Sequence, residues 1–274
     1  MKKTALLIVC LCGGLLLSAT ADFPDWGYPS SPASTHLSNH YIEKSMEETN
    51  VPNLVTAVLA DYRGFDTMFE TAVVFCAGLA CLLLLRNSNH KKDRFYRHVP
   101  TGVILRFNKN STREPGGREF ENMDAHWVPD DLIIMTVCRI LIPFIQIYAL
   151  YVVAHGDFSP GGGFQGGVIF GSSLILLAIS YNLRTALKRT TEKVLGIFSA
   201  VGVLLYVGIG LLCMVLGGNF LDYGKLVKVL PVDPGHIRAL GMLGVEIGVG
   251  ITVMAVMVVI YVNLASKGQH DEGL

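Results

Sequence analysis

Carboxylates set in apolar sequence are the groups of this chain with the most chemistry to offer. Glu246 stands among Gly244, Val245, Ile247 and Gly248, seven residues past the start of the apolar run Ala239–Leu264. At about 1.5 Å per residue that is a depth of roughly 10 Å. An ionisable group held there is expensive, and it marks a proton or cation route unless a hydrogen bond or ion pair accounts for it. With no partner in sequence, its carboxyl is expected to hold a raised pKa or to find a partner on another helix. Asp66 and Glu70, four residues apart, share a helix face if the helix includes both. Two carboxylates on one face, with Arg63 nearby, can take and release a cation or a proton. The same residues admit a local reading, because Thr67-Met68-Phe69-Glu70 fits a capping box with Thr67 as N-cap and Glu70 as its partner. Asp61 and Arg63 are expected to pair and hold the turn.

The third place is a loop, Asp157-Phe158-Ser159-Pro160-Gly161-Gly162-Gly163-Phe164-Gln165-Gly166-Gly167, lying between two apolar stretches. Each glycine costs a helix about 1 kcal/mol relative to alanine, so such a concentration needs a reason. Ser159 followed by Pro160 reads as N-cap and first helical residue. Gly163, Gly167 and Gly171 fall at spacing four and predict a smooth ridge for close helix packing. The other reading lets the helix N-terminus and loop carbonyls line a polar path with His155, Asp157 and Gln165. Arg139 also sits at membrane depth; it cannot titrate, so a structural counter-ion is its expected role.

The elements that must position these groups are membrane helices. Half the residues are apolar, 16% are charged and mean hydropathy is +0.46. Apolar stretches of roughly 20 residues predict six spans, near Ala5–Ala21, Met68–Leu85, Leu132–Ala154, Gly163–Tyr181, Val194–Leu216 and Ala239–Leu264. Lys2, Lys3, the apolar run Leu6–Leu17 and Ala19-Thr20-Ala21 also fit a cleavable secretory signal, and an uncleaved helix is the expectation. The stretch Asn50–Ala60 is too short to span, and an interfacial or re-entrant segment is expected near 50–66. Loop charge sets the orientation. Arg86–Asp130 carries nine Lys/Arg and Asn182–Lys193 four, whereas Asp22–Asp66 holds two basic and seven acidic residues. The positive-inside bias therefore predicts both termini and both basic loops in the cytoplasm, with the acids gathered toward the outer face.

Other chemistry finds little support. Cys10, Cys12, Cys76, Cys81, Cys138 and Cys213 all lie in predicted spans, without the spacing of a metal site or disulfide. His90, His98 and His126 lack ligand spacing too. Glu114-Pro115-Gly116-Gly117 predicts a turn in the 86–130 linker, expected to be a plain tether. Lys91-Lys92-Asp93-Arg94-Arg97 within it offers contacts to neighbouring subunits or anionic headgroups as the other reading. There is no phosphate loop, nucleophile elbow or dinucleotide fingerprint, and neither a cofactor nor a nucleic-acid partner is expected.

Two motifs carry a family resemblance. HGDFSPGGGFQGGVIFGSSLIL, from His155, resembles the signature of the B subunit (MnhB domain) of Mrp-type multisubunit cation/proton antiporters, over about Asp131–Ser266. VTAVLADYRGFDTMFETAVV, Val55–Val74, resembles a small membrane-bound hydrogenase subunit whose counterpart in the antiporters is the tail of the large A subunit. The chain thus looks like two neighbouring subunits fused. The resemblance implicates acids matching Asp66 and Glu70 in cation transport. If they bind a dehydrated cation, their hard oxygens, supplemented by glycine-loop carbonyls, are expected to favour transient Na+. In the family a polar residue, often His or Asn, commonly stands near Asp157.

The expected fold is an all-α integral membrane protein of about six transmembrane helices. Its divisions are a two-helix module at 1–85, a cytoplasmic linker at 86–130, a four-helix MnhB-like domain at 131–266 and a tail at 267–274. The implied function is a non-enzymatic membrane subunit of an Mrp-type Na+/H+ antiporter module in the plasma (inner) membrane. It would supply part of an ion path, in a redox-driven complex such as a membrane-bound hydrogenase. Its expected partners are other antiporter subunits, redox subunits and lipids. The competing reading is a scaffold that holds larger antiporter-like subunits together.

Overall fold

The computed structural model describes residues 2–85, 94–107, 119–123, 132–181, 183, 186–187 and 190–266. Contacts divide it into two compact units, Met1–Ser45 and Met46–Leu274. The first unit holds helix α1 (Lys2–Ala19), a short 3-10 turn over Thr20–Asp22, and the start of α2 (Ser38–Thr49). Most α1 side chains are exposed, as suits a lone apolar helix with no packed neighbour in its own unit.

The second unit contains the long apolar helices: α4 (Gly64–Leu85), α5 (Leu132–Ala154), α6 (Gly163–Tyr181), α7 (Glu192–Val215) and α8 (Pro234–Ala265). These five are long and apolar enough to cross a membrane, and the expected N-terminal span is helical but shorter. The chain is an all-α multi-pass membrane protein. Its helix ends carry their own signals. Thr191 accepts from the Val194 amide as the N-cap of α7, and Asp233 accepts from Gly235 with Pro234 opening α8.

Helix α8 is the hub, packing against α4, α6 and α7. Small residues let it come close. A methyl at Gly167 would lie 2.6 Å from the Gly250 carbonyl, and one at Gly171 3.3 Å from that of Met254. The predicted ridge along α6 therefore meets a matching track along α8. On the α7 side, Gly202 and Gly248 bring the backbones together in the same way. Buried Tyr206, Tyr223, Ile237, Met242, Val245, Val249 and Val253 fill the core at the end where α8 begins.

Three expectations change. Helix α4 starts at Gly64, so Thr67 lies inside it and is not its cap: the Thr67 hydroxyl donates to the Leu59 carbonyl at 2.7 Å. Helix α6 starts at Gly163, so Ser159 and Pro160 precede it; Gly162, at φ +135°, makes the turn instead. The Ser159 hydroxyl donates to the His155 carbonyl. The linker is more than a tether, forming an antiparallel sheet in the order β2-β1-β3 from β1 (Arg94–His98), β2 (Ile104–Phe107) and β3 (Phe120–Met123). Short stretches with strand-favouring aromatics, such as Phe95-Tyr96, are ones that a scan for long apolar runs passes over. His98 sits there beside Thr101 and Glu119. Lys91 to Asp93, His90, His126, the turn at 114–117 and the tail at 267–274 lie outside the described residues.

Candidate functional site

The glycine loop folds around one side chain, that of Glu246. A methyl at Gly156 would stand 2.6 Å from Glu246 Oε2, one at Gly162 3.0 Å from Oε1, and one at Gly163 would overlap the Glu246 main chain. Glycine is needed here for close approach. The carboxyl group faces the Thr56 hydroxyl and the Gly163 amide, with the Asp157 charge close by. Asp157 is 9% exposed, and burial pushes its carboxyl above the ordinary carboxylate range. Glu246 Oε2 and Asp157 Oδ1 are both buried without a hydrogen-bond partner.

A short segment closes over the loop. Asn53 caps the brief helix α3 (Leu54–Thr56), which continues as a wide helical turn over Ala57–Tyr62. Its side-chain amide donates to the carbonyls of Gly156 (2.7 Å) and Ser159 (2.8 Å). The Asn53 main-chain amide donates to Asp157 O at 3.0 Å. The Thr56 hydroxyl donates to Gly156 O at 2.8 Å. This is the expected short, non-spanning segment near 50–66, and it takes up loop carbonyls that would otherwise be orphaned at depth.

Hydroxyls and one ion pair hold the far end of the segment. Tyr223 donates to Ala60 O and Tyr206 to Gly64 O, each at 2.8 Å. Asp61 does not pair with Arg63. It accepts from Arg238 Nε at 2.5 Å and Nη2 at 2.9 Å, while Arg63 Nε donates to Asp66 at 2.6 Å.

The predicted site residues therefore separate. Glu246 and Asp157 come together under Thr56. Asp66 and Glu70 are exposed on α4, although fully buried Tyr206 lies within electrostatic reach of both Glu70 and Glu246. His155 and Gln165 are exposed. The His155 ring stacks on Tyr151 at 4.0 Å and does not turn inward. Pro160 and Phe164 are exposed, whereas Gly166 and Gly167 are buried at helix contacts. Arg139 is exposed on α5. Sequence spacing does not single out Asn53, Thr56, Tyr206, Tyr223 or Arg238. Two of them leave a faint signal: Asn53 is a preferred N-cap residue type just ahead of an apolar stretch, and Arg238 is a charge near the mouth of an apolar run. No group of three or more His, Cys, Asp or Glu placed to hold a metal occurs among the described residues.

Comparison with known proteins adds to this geometry. Residues 133–259 match the domain related to the MnhB subunit of Na+/H+ antiporter, and residues 5–98 match the E subunit of MBH. A protein of Rhizobium meliloti (strain 1021), named as the probable A/B subunit of a K(+)/H(+) antiporter, is 25% identical over 265 residues, 97% of this chain and 25% of that protein. The chain thus spans about a quarter of that relative's length. Putative antiporter subunit mnhB2 of Staphylococcus aureus (strain MRSA252) is 27% identical over 136 residues, covering 50% of this chain and 95% of the relative. The fold is shared with a chain of the membrane-bound sulfane sulfur reductase (MBS), an archaeal respiratory membrane complex. That match has TM-score 0.58 and 24% identity, over 96% of this chain and 97% of the other. It is also shared with a chain of the Mrp complex from Dietzia sp. DQ12-45-1b, with TM-score 0.59 and 21% identity, over 99% and 26%.

Proposed function

We propose, from an MBH-type small-subunit domain joined to an MnhB domain in one polypeptide, that this chain is a membrane subunit of an Mrp-type antiporter module and supplies part of its ion path. The observation that carries the ion path is the pair of buried, unpartnered oxygens on Asp157 and Glu246. A buried carboxylate oxygen left without a donor costs about 1–3 kcal/mol, and a translocated cation or proton relieves that cost. The relatives named as antiporter subunits support transport over catalysis. The shared fold with a respiratory membrane complex supports a redox-driven setting, with antiporter and redox subunits as neighbours.

The path runs in the outer half of the membrane, with both termini cytoplasmic, as the loop charges imply. Under this reading 1–85 and 131–266 are the two fused modules and 86–130 joins them on the cytoplasmic side. Asp66 and Glu70 serve as an approach, with Tyr206 between Glu70 and Glu246. Neighbouring subunits complete the inner half, where the described charged residues of this chain's spans are Arg139 on α5 and Glu192 and Lys193 at the start of α7.

A scaffold role is the second reading, favoured by the apolar windows of α4 and α5, of which 11% and 17% is buried, against 56% for α8. Glu246→Gln in the assembled complex decides between them. Antiport in inverted vesicles is expected to fall about tenfold or more with subunit content unchanged. Normal antiport would leave the scaffold. Subunit identification in the purified native complex tests the redox setting, since hydrogenase-like or reductase subunits are expected beside the antiporter subunits.

A further inference from the structure

Helix α5 carries a polar stripe on a side that this chain leaves open. Thr136, Arg139, Pro143 and Gln146 follow one another at intervals of three and four, so they lie along one side of the helix. The first three are exposed and Gln146 is half-buried. Thr136 is satisfied within its own helix, its hydroxyl donating to the Leu132 carbonyl at 2.7 Å. The others are not. Neither the Arg139 guanidinium nor the Gln146 amide has a hydrogen bond or ion pair among the described residues. Pro143 adds a third open group, because it has no N–H to give the Arg139 carbonyl four residues back. Arg139 is seven residues into α5 and Gln146 fourteen, or about 10 Å and 21 Å along the axis. Hydrocarbon offers such groups nothing, and a proline is tolerated in a spanning helix where a neighbour takes up the freed carbonyl.

We propose that this stripe docks a membrane-spanning helix of another subunit, one that sets a carboxylate against Arg139 and a hydrogen-bonding side chain against Gln146 about two turns away. The inference rests on reading the chain as one subunit of a membrane complex, and it holds whether or not the chain conducts ions. Charge selects the occupant. A second copy paired about a two-fold axis would bring its own Arg139 to the same depth, cation against cation. Helix α1, exposed along most of its length, contains no Asp or Glu to offer. An anionic lipid headgroup can meet the guanidinium, because helical side chains lean toward the helix start and arginine snorkels. It cannot also serve Gln146, two turns deeper. A protein helix answers all three groups at their separate depths, as polar side chains do between helices in lipid.

The test places p-benzoylphenylalanine at Leu150, an exposed position on the same stripe, in the full chain within the native complex. Photocross-linking to a helix of another subunit that carries Asp or Glu is expected. Products formed only with lipid, only with a second copy, or only with helices lacking an acid would overturn the proposal. The complex is then purified in mild detergent with Arg139→Gln. Content of the cross-linked subunit is expected to fall about tenfold or more, whereas Arg139→Lys retains it to within about threefold. Exchanging the charges, Arg139→Glu with the partner's acid replaced by arginine, should restore it. Retention within about twofold in Arg139→Gln would overturn the proposal, and loss of bound anionic phospholipid in that variant would assign the stripe to lipid instead. Gln146→Leu keeps the charge and serves if Arg139→Gln fails to accumulate. It should lower the same subunit's content by about threefold or more, and unchanged content would count equally against the interface. Wild type that purifies with no other subunit overturns the complex reading and this proposal together. A wild-type complex indifferent to Arg139→Gln overturns this proposal alone.

Discussion

Arg238 grips Asp61 with two nitrogens across 177 residues of sequence. The fork matches a carboxylate, and Asp61 is only 10% exposed in its side chain, so removing the cation strands a mostly buried charge. Arg238→Gln is expected to loosen the 53–64 segment by about 1–3 kcal/mol. Hydrogen exchange should show it as faster exchange in peptides covering 53–64, with α5 and α7 unchanged. Asp66 provides the contrast. It is half-exposed and paired with Arg63 on the surface, so Asp66→Asn is expected to change Na+-dependent transport in vesicles by less than about threefold, as suits an exposed pair. The acids themselves are legible in sequence because charge is conspicuous in apolar runs. Their partners are not: Asp61 lies two residues from Arg63 and pairs with a residue on another helix, and spacing carries no information about contacts that only tertiary packing creates.

Among the elements, Leu132–Ala154 and Gly163–Tyr181 coincide with their apolar runs, because length and hydropathy alone dictate a span. Starts within polar or glycine-rich sequence are harder to read. Helix α4 begins four residues ahead of Met68 because Tyr206 and Thr67 fasten the carbonyls of Gly64 and Leu59. The glycine ridge of α6 is readable as spacing four, and the structure adds what it meets. Gly167→Ala would push a methyl toward the Gly250 carbonyl and is expected to cost about 1–3 kcal/mol by overpacking. Gly196→Ala, whose methyl would meet nothing within 4 Å, is the neutral control. Thermal aggregation of the solubilised complex, compared between the two variants, checks this.

For the whole molecule, the orientation expected from loop charge places Phe158, 74% exposed, outside and Lys193 inside. In a background with the six native cysteines replaced, a membrane-impermeant maleimide should label Phe158→Cys in right-side-out vesicles and Lys193→Cys only in inverted ones. The opposite labelling would invert the topology and put the carboxylates on the cytoplasmic side. Helix α8 also governs how the molecule comes to exist at all. The hub follows α4, α6 and α7 in the chain, so during synthesis these helices enter the bilayer before their common neighbour has been made. Until then Gly167, Gly202 and Glu246's glycine cradle have nothing to close upon, and the helices can only wait side by side in lipid. Assembly is thereby timed by the ribosome: the glycine-lined pocket around Glu246 cannot exist, even in outline, before the last long helix has been delivered.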